Sequence, residues 1–169
     1  MDETLLERAR AVRLLVLDVD GVLTDGRLYI SASGEEFKTF HVRDGSGIVA
    51  LQKAGVIVAI ISGRESGAVR RRAEELGIRH VRQGVVDKAQ ALAEVVAESG
   101  VRDDEVACVG DDTPDVPMLR KARLAVAVAD AHPTAAAAAH FVTSARGGRG
   151  AVRETCDLLL EARNPATSG

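Results

Sequence analysis

Residues 14–17, Leu-Leu-Val-Leu, form a short apolar run that stops at Asp18-Val19-Asp20-Gly21, and this junction constrains the fold more than any other stretch of the chain. A run of large apolar residues without alternation reads as a strand buried on both faces, as in parallel sheets covered by helices. The period of two along a strand turns Asp18 and Asp20 to one side where it ends. Burying paired carboxylates is costly unless something positive joins them, so a divalent cation or a lysine is the expected companion. Read alone, Asp-x-Asp-Gly fits a turn or helix cap as well as a site.

Further apolar runs alternate with helical periodicity. Strands are expected at 14–17, 56–61, 80–81, 106–109, 124–128 and 141–142, and helices at about 46–54, 66–76, 88–99, 116–121, 133–138 and 150–162. This β/α alternation predicts an α/β fold, an open parallel sheet with helices on both faces. One segment breaks the rhythm: residues 26–41 place Leu28-Tyr29-Ile30 and Phe37-Lys38-Thr39-Phe40 around a polar turn, a β-hairpin. A single domain over residues 1–164 is expected, with the hairpin as a flap and residues 165–169 as a disordered tail.

Composition excludes several functions. The formal net charge of −3 and an aromatic content of 2% offer neither a basic footprint nor stacking platforms, so no nucleic-acid partner is expected. Nor does any stretch approach the ~18 apolar residues of a membrane span, and residues 1–4 lack a signal-peptide pattern; no membrane association and a cytoplasmic location are expected. Cys108 and Cys156 form neither a disulfide framework nor a metal spacing and read as small core residues.

In open α/β sheets the site lies outside the carboxyl ends of the strands, and polar groups collect there. Ser62-Gly63-Arg64 closes the second core strand, Lys88 opens a helix after Val85-Val86-Asp87, and Gly110-Asp111-Asp112-Thr113-Pro114-Asp115 follows the run from Val106. Taken singly, Ser62 reads as an N-cap, Lys88 as a solvated lysine and Asp111 or Asp112 as a turn former. Taken together, these elements place carboxylate, hydroxyl, ammonium and carboxylate at one sheet edge, in an order that chance does not readily supply.

With these residues in that order, the chain resembles the haloacid dehalogenase superfamily of phosphotransferases, whose four motifs match Asp18-Val19-Asp20-Gly21, Ser62, Lys88, and Gly110-Asp111-Asp112 with Asp115. More narrowly, residues 18–26, Val42-Arg43-Asp44-Gly45, Ser62-Gly63-Arg64 and residues 147–154 look like the 3-deoxy-D-manno-octulosonate 8-phosphate phosphatase family. The resemblance implies a Rossmann-like core and a Mg²⁺ cofactor. Asp18 would attack phosphorus, Asp20 would serve as general acid and then base, and Ser62 and Lys88 would hold the transferring oxygens. The ligand set it implies is the Asp18 carboxylate, the Asp20 backbone carbonyl and the Asp111 carboxylate, with Asp115 and, less definably, Asp112 in support.

Superfamily members acting on small metabolites often carry a cap domain between motifs, but here the 20–62 gap holds only the hairpin and one helix, and the 62–88 gap a helix and a strand. A capless site stays wet, which weakens its electrostatics. The resemblance implies a homotetramer whose hairpins pack together and whose neighbouring subunits cover each site. Leu28, Tyr29, Ile30, Phe37 and Phe40 suit such packing, though a hairpin folded onto its own domain would also bury them. For a substrate carboxylate, Arg43 and Arg64 are candidate grips beside Gly63, their alternative being surface pairs with Asp44 and Glu65; Arg149 is a further candidate. Arg70-Arg71-Arg72 reads as a solvated helix face, and the histidines lack metal-ligand spacing.

The expectation is a Mg²⁺-dependent phosphatase acting on a small sugar-acid phosphate, foremost 3-deoxy-D-manno-octulosonate 8-phosphate. One alternative keeps the chemistry but changes the substrate to a nine-carbon sugar-acid 9-phosphate or another sugar phosphate. Another makes the chain a nearly inactive oligomerisation module of a nucleotide-sugar pathway.

Overall fold

A computed structural model of the chain describes residues 3–164, so the tail expected at 165–169 lies outside the described residues. Helix α1 (Glu3–Ala11) leads into β1 (Leu14–Leu17), and a tight loop then leads to the two short antiparallel strands β2 (Tyr29–Ile30) and β3 (Glu36–Phe37). Next come α2 (Val42–Lys53), β4 (Ile57–Ile61), α3 (Gly67–Glu75), β5 (His80–Arg82) and α4 (Lys88–Ser99). The second half runs β6 (Val106–Gly110), α5 (Val116–Lys121), β7 (Leu124–Ala127), α6 (Pro133–Ala138), β8 (Phe141–Val142) and α7 (Ala151–Arg163).

Six strands form one parallel sheet in the order β5-β4-β1-β6-β7-β8. All four residues of β1 are fully buried. Leu15 and Leu17 face the core shared with α1, α2, α3 and α7, whereas Leu14 and Val16 face the one beneath α4, α5 and α6. The chain builds outward from β1 through β4 and β5, then returns to build outward through β6, β7 and β8. Its direction therefore reverses between β1 and β6, and the carboxyl ends of those strands diverge around a crevice, the place where an α/β sheet binds its ligand.

Three sequence expectations need correction. No element was assigned before residue 14, yet α1 forms, packing Ala9 and the flanking Leu5 and Leu6 on the main core. Helix α2 starts at Val42 rather than near residue 46, because its glycines serve packing rather than a loop: a Cβ on Gly47 would sit 2.9 Å from Arg153 Cδ on α7. Phe40 joins the core instead of the outer hairpin surface, while Leu28, Tyr29, Ile30 and Phe37 are exposed as expected. Both cysteines are free and buried. No helix among the described residues is long and apolar enough to cross a membrane.

Candidate active site

At the end of β1 the Asp18 N–H still donates to the Val109 carbonyl of β6 at 3.1 Å, which holds Asp18 at the crevice. The strand ends there. The Thr24 N–H returns to the Val19 carbonyl at 3.0 Å, and Thr24 Oγ1 accepts from the N–H groups of Gly21 and Gly26, so residues 19–26 close into a compact loop. Asp20 thus reaches the cleft through a loop rather than by continuing the pleat. Gly21 adopts φ +90°, and a Cβ on it would lie 2.0 Å from Asp111 Oδ2. Glycine is required there for the approach of Asp111 as much as for the turn.

On the other wall, Asp115 acts as a bracket. Its Oδ2 accepts from the N–H groups of Asp111 (2.9 Å) and Asp112 (3.2 Å), shaping the loop after β6, and its Oδ1 accepts from Lys88 Nζ at 2.6 Å. Lys88 Nζ also donates to Asp18 Oδ1 at 2.7 Å. The first residue of α4 is an unfavourable place for a cation, because the helix dipole is positive there. The Asp87 side chain caps this helix end, and the two buried carboxylates hold the ammonium.

The electrostatics follow from this crowding. Burial, then the charge of Asp115, raises Asp18 to about 6 even though Lys88 pulls it down. Burial, then the charges of Asp18 and Asp115, raises Asp111 to about 8. Burial works against the Lys88 ammonium, but Asp18 and Asp115 outweigh it and hold its pKa above the usual lysine value. Carboxylate oxygens of Asp18, Asp111 and Asp115 lie within 4.8 Å of one another. When all three carboxylates ionise, the single ammonium leaves two of their charges uncompensated, and the all-oxygen donor set suits a hard divalent cation. Both Asp115 oxygens are already engaged, so Asp18 and Asp111 are the carboxylates with capacity to spare.

Asp20 is held from the opposite direction. Its Oδ1 accepts from Lys38 Nζ at 2.6 Å, and its Oδ2 lies 3.7 Å from Arg64 Nε. Glu36 joins the same two cations, with Oε1 2.9 Å from Lys38 Nζ and Oε2 on Arg64 Nη2. Ser62, Gly63, Arg64 and Asp112 line the same cleft of about 250 Å³. Arg43 does not; it stands exposed on the first turn of α2, outside the lining. Arg149 is also outside it, exposed and 3.9 Å from Asp25.

The anticipated surface pairs take other forms. Asp44 is buried and accepts the Arg153 N–H at the start of α7, and Glu65 pairs with Arg70. Arg72 is not part of a solvated face, its side chain being 24% exposed beside Gly45. Lys38 and Glu36 were missed as site residues. Their signal was the alternation of the strand itself, since the period that turns Phe37 outward turns Glu36 and Lys38 inward together.

Comparison with known proteins agrees with this geometry. The haloacid dehalogenase-like hydrolase family model matches residues 80–152. A 3-deoxy-D-manno-octulosonate 8-phosphate phosphatase from Yersinia pestis is 48% identical over 162 residues, covering 96% of this chain and 87% of its own length. The crystal structure of the Moraxella catarrhalis enzyme of that name, in complex with a magnesium ion, a phosphate ion and a KDO molecule, superposes with a TM-score of 0.95 at 40% identity, over 97% of this chain and 94% of that one. The cobalt-bound Haemophilus influenzae phosphatase superposes with a TM-score of 0.91 at 41% identity, over 93% and 92% of the two chains. Similarity of this extent, along the sequence and across the superposed backbones, establishes that the chain belongs to the 3-deoxy-D-manno-octulosonate 8-phosphate phosphatase family of haloacid dehalogenase-like hydrolases.

Proposed function

We propose that the protein hydrolyses 3-deoxy-D-manno-octulosonate 8-phosphate to the free sugar acid and inorganic phosphate. The observation that carries this reading is the pairing at the switch point: the buried Asp18 has one oxygen anchored on Lys88, and the separately held Asp20 shares its cleft. The Moraxella catarrhalis complex, with its magnesium, phosphate and KDO, supports the substrate and the cofactor.

An Asp18 oxygen forms a bond to phosphorus as the bond from phosphorus to the sugar oxygen breaks, and the proton on Asp20 passes to that departing oxygen. Water then attacks the phosphorus of the aspartyl-phosphate, its proton returns to Asp20, and phosphate leaves with Asp18 restored. Lys88 offsets the charge of Asp18 and, with the Ser62 hydroxyl, stabilises the transferring oxygens. Asp115 keeps Lys88 in place and shapes the Asp111 loop. Mg²⁺, held by Asp18, Asp111 and the Asp20 carbonyl, supplies charge neutralisation at the phosphoryl group when bound. Arg64, near the mouth and partly exposed, is suited to the substrate carboxylate, with Gly63 beside it in the cleft lining.

A cleft of about 250 Å³ is smaller than most small-molecule sites and open on one side. We assign its missing wall to other copies of the chain in a homotetramer built on the exposed hairpin, where the exposed Arg43 and Arg149 can meet a neighbouring site. Two buried free thiols suit a reducing, cytoplasmic setting.

Phosphate release from 3-deoxy-D-manno-octulosonate 8-phosphate, from a nine-carbon sugar-acid 9-phosphate and from 4-nitrophenyl phosphate, with Mg²⁺ and with chelator, tests the reading. The eight-carbon ester is expected to give the highest kcat/KM, chelator to abolish turnover, and Asp18→Asn to reduce kcat by about 10³-fold or more. Equal rates for wild type and Asp18→Asn refute it. Preference for the nine-carbon ester reassigns the substrate.

A further inference from the structure

We infer that Lys38, delivered by the hairpin, is a positioning residue that sets the orientation of the Asp20 carboxylate for proton transfer. The inference rests on the phosphatase reading, in which Asp20 protonates the departing oxygen.

Four side chains close a ring of alternating charge. Lys38 touches Asp20 Oδ1 and Glu36 Oε1, while Arg64 approaches Asp20 Oδ2 and bonds Glu36 Oε2. Lys38 anchors Oδ1 at 2.6 Å, while Arg64 stands 3.7 Å from Oδ2, outside hydrogen-bond reach, so one oxygen is held and the other is left to carry the proton. A proton can be passed only along a short line to the acceptor, so a carboxylate free to rotate on a loop loses much of its value as a general acid. The backbone that carries Asp20 is closed by the Thr24 and Gly148 hydrogen bonds, but these do not fix the rotation of its side chain, which is 22% exposed. The restraint comes from the ring.

The two cations of the ring differ in one decisive respect. The Arg64 side chain is 46% exposed and can meet substrate directly, whereas that of Lys38 is 2% exposed, covered by the carboxylates it binds. Lys38 does not reach the cleft surface and acts through the side chains it binds, Asp20 foremost. Removing Lys38 alone leaves Asp20 and Glu36 without the ammonium between them and costs stability, so folding is read separately from catalysis. Glu36 has a place in the same account. Without it, one ammonium and one guanidinium would face a single carboxylate, and nothing would hold Lys38 from the strand side.

Leaving-group dependence separates positioning from general structural damage. An alkyl oxygen needs a proton as it departs; a nitrophenolate does not, and kcat/KM reports events up to the departure of the first product. Lys38→Met, assayed with Mg²⁺, is expected to lower kcat/KM for 3-deoxy-D-manno-octulosonate 8-phosphate by about 10²-fold, and that for 4-nitrophenyl phosphate by no more than about threefold. The retained aryl activity also reports that the variant is folded. Lys38→Arg is expected to restore part of the alkyl activity. Asp20→Asn combined with Lys38→Met is expected to be no worse than Asp20→Asn alone, because the lysine acts through the aspartate.

Equal losses on the two esters, a loss confined to KM, or additive losses in the double variant overturn the inference. If Lys38→Met does not fold, Glu36→Gln, which removes only one anchor of Lys38, is read by the same criteria. A wild-type protein that hydrolyses neither ester refutes the phosphatase reading itself. Normal wild-type turnover with an unimpaired Lys38→Met refutes the positioning alone.

Discussion

Asp18 and Asp111 start from an unfolded value of 3.8 and rise to about 6 and about 8 in the metal-free fold. Between roughly pH 4 and pH 8 the folded protein therefore keeps protons that the unfolded chain has released, so stability falls as pH rises through that window. Below it both states are protonated and the difference vanishes. A divalent cation replaces those protons and removes the slope. The melting temperature of chelated protein is expected to drop by at least about 4 °C more in wild type than in Asp111→Asn between pH 5 and pH 8, and Mg²⁺ to cancel the excess. A metal-free wild type no more pH-sensitive than Asp111→Asn contradicts this account.

Asp18, Lys88 and Asp111 were legible in the sequence because each stands at the junction of a strand or helix that periodicity locates well. Lys38 was not, since a lysine in a short strand reads as surface until the partner of its inward face is known.

The loop after β1 depends on a segment far along the chain. The Gly148 N–H donates to the Val22 carbonyl at 2.8 Å, and the Gly147 N–H donates to Asp130 Oδ1 at 3.0 Å. A Cβ on Gly147 would lie 1.7 Å from the Gly21 carbonyl oxygen. Gly147→Ala is therefore expected to push the Asp20 loop aside and lower kcat more than tenfold on either ester. Gly67→Ala, at the start of α3 with nothing within 4 Å of the added carbon, should leave kcat unchanged; steady-state assays of the pair provide the check. Sequence periodicity located α7 to within a residue at each end. It gave no sign that the glycine-rich run before it braces the Asp20 loop, because that contact joins positions more than a hundred residues apart and is made by backbone rather than by side chains.

For the whole molecule, β/α alternation was enough to anticipate the parallel sheet and the collection of polar groups at its carboxyl edge, since the connections of such folds leave few alternatives. What one chain could not reveal is its outer wall. Leu28, Tyr29, Ile30 and Phe37 are between 42% and 59% exposed on the hairpin whose inner face carries Lys38, a patch that a lone protein rarely leaves in water. If the homotetramer proposed above is built on this patch, replacing Ile30 and Phe37 together by glutamate gives smaller species in light-scattering chromatography. The same change should reduce kcat/KM for the sugar-acid ester more than for the aryl ester; an unchanged mass places the assembly elsewhere.

The brace at Gly147 and Gly148 also has a temporal meaning. During synthesis Asp18 emerges from the ribosome more than a hundred residues before the backbone that steadies its neighbourhood. A nascent chain can thus pair β1 with β4 and β6 while the Asp20 loop stays slack, and that loop is steadied only once the Gly147–Gly148 segment follows.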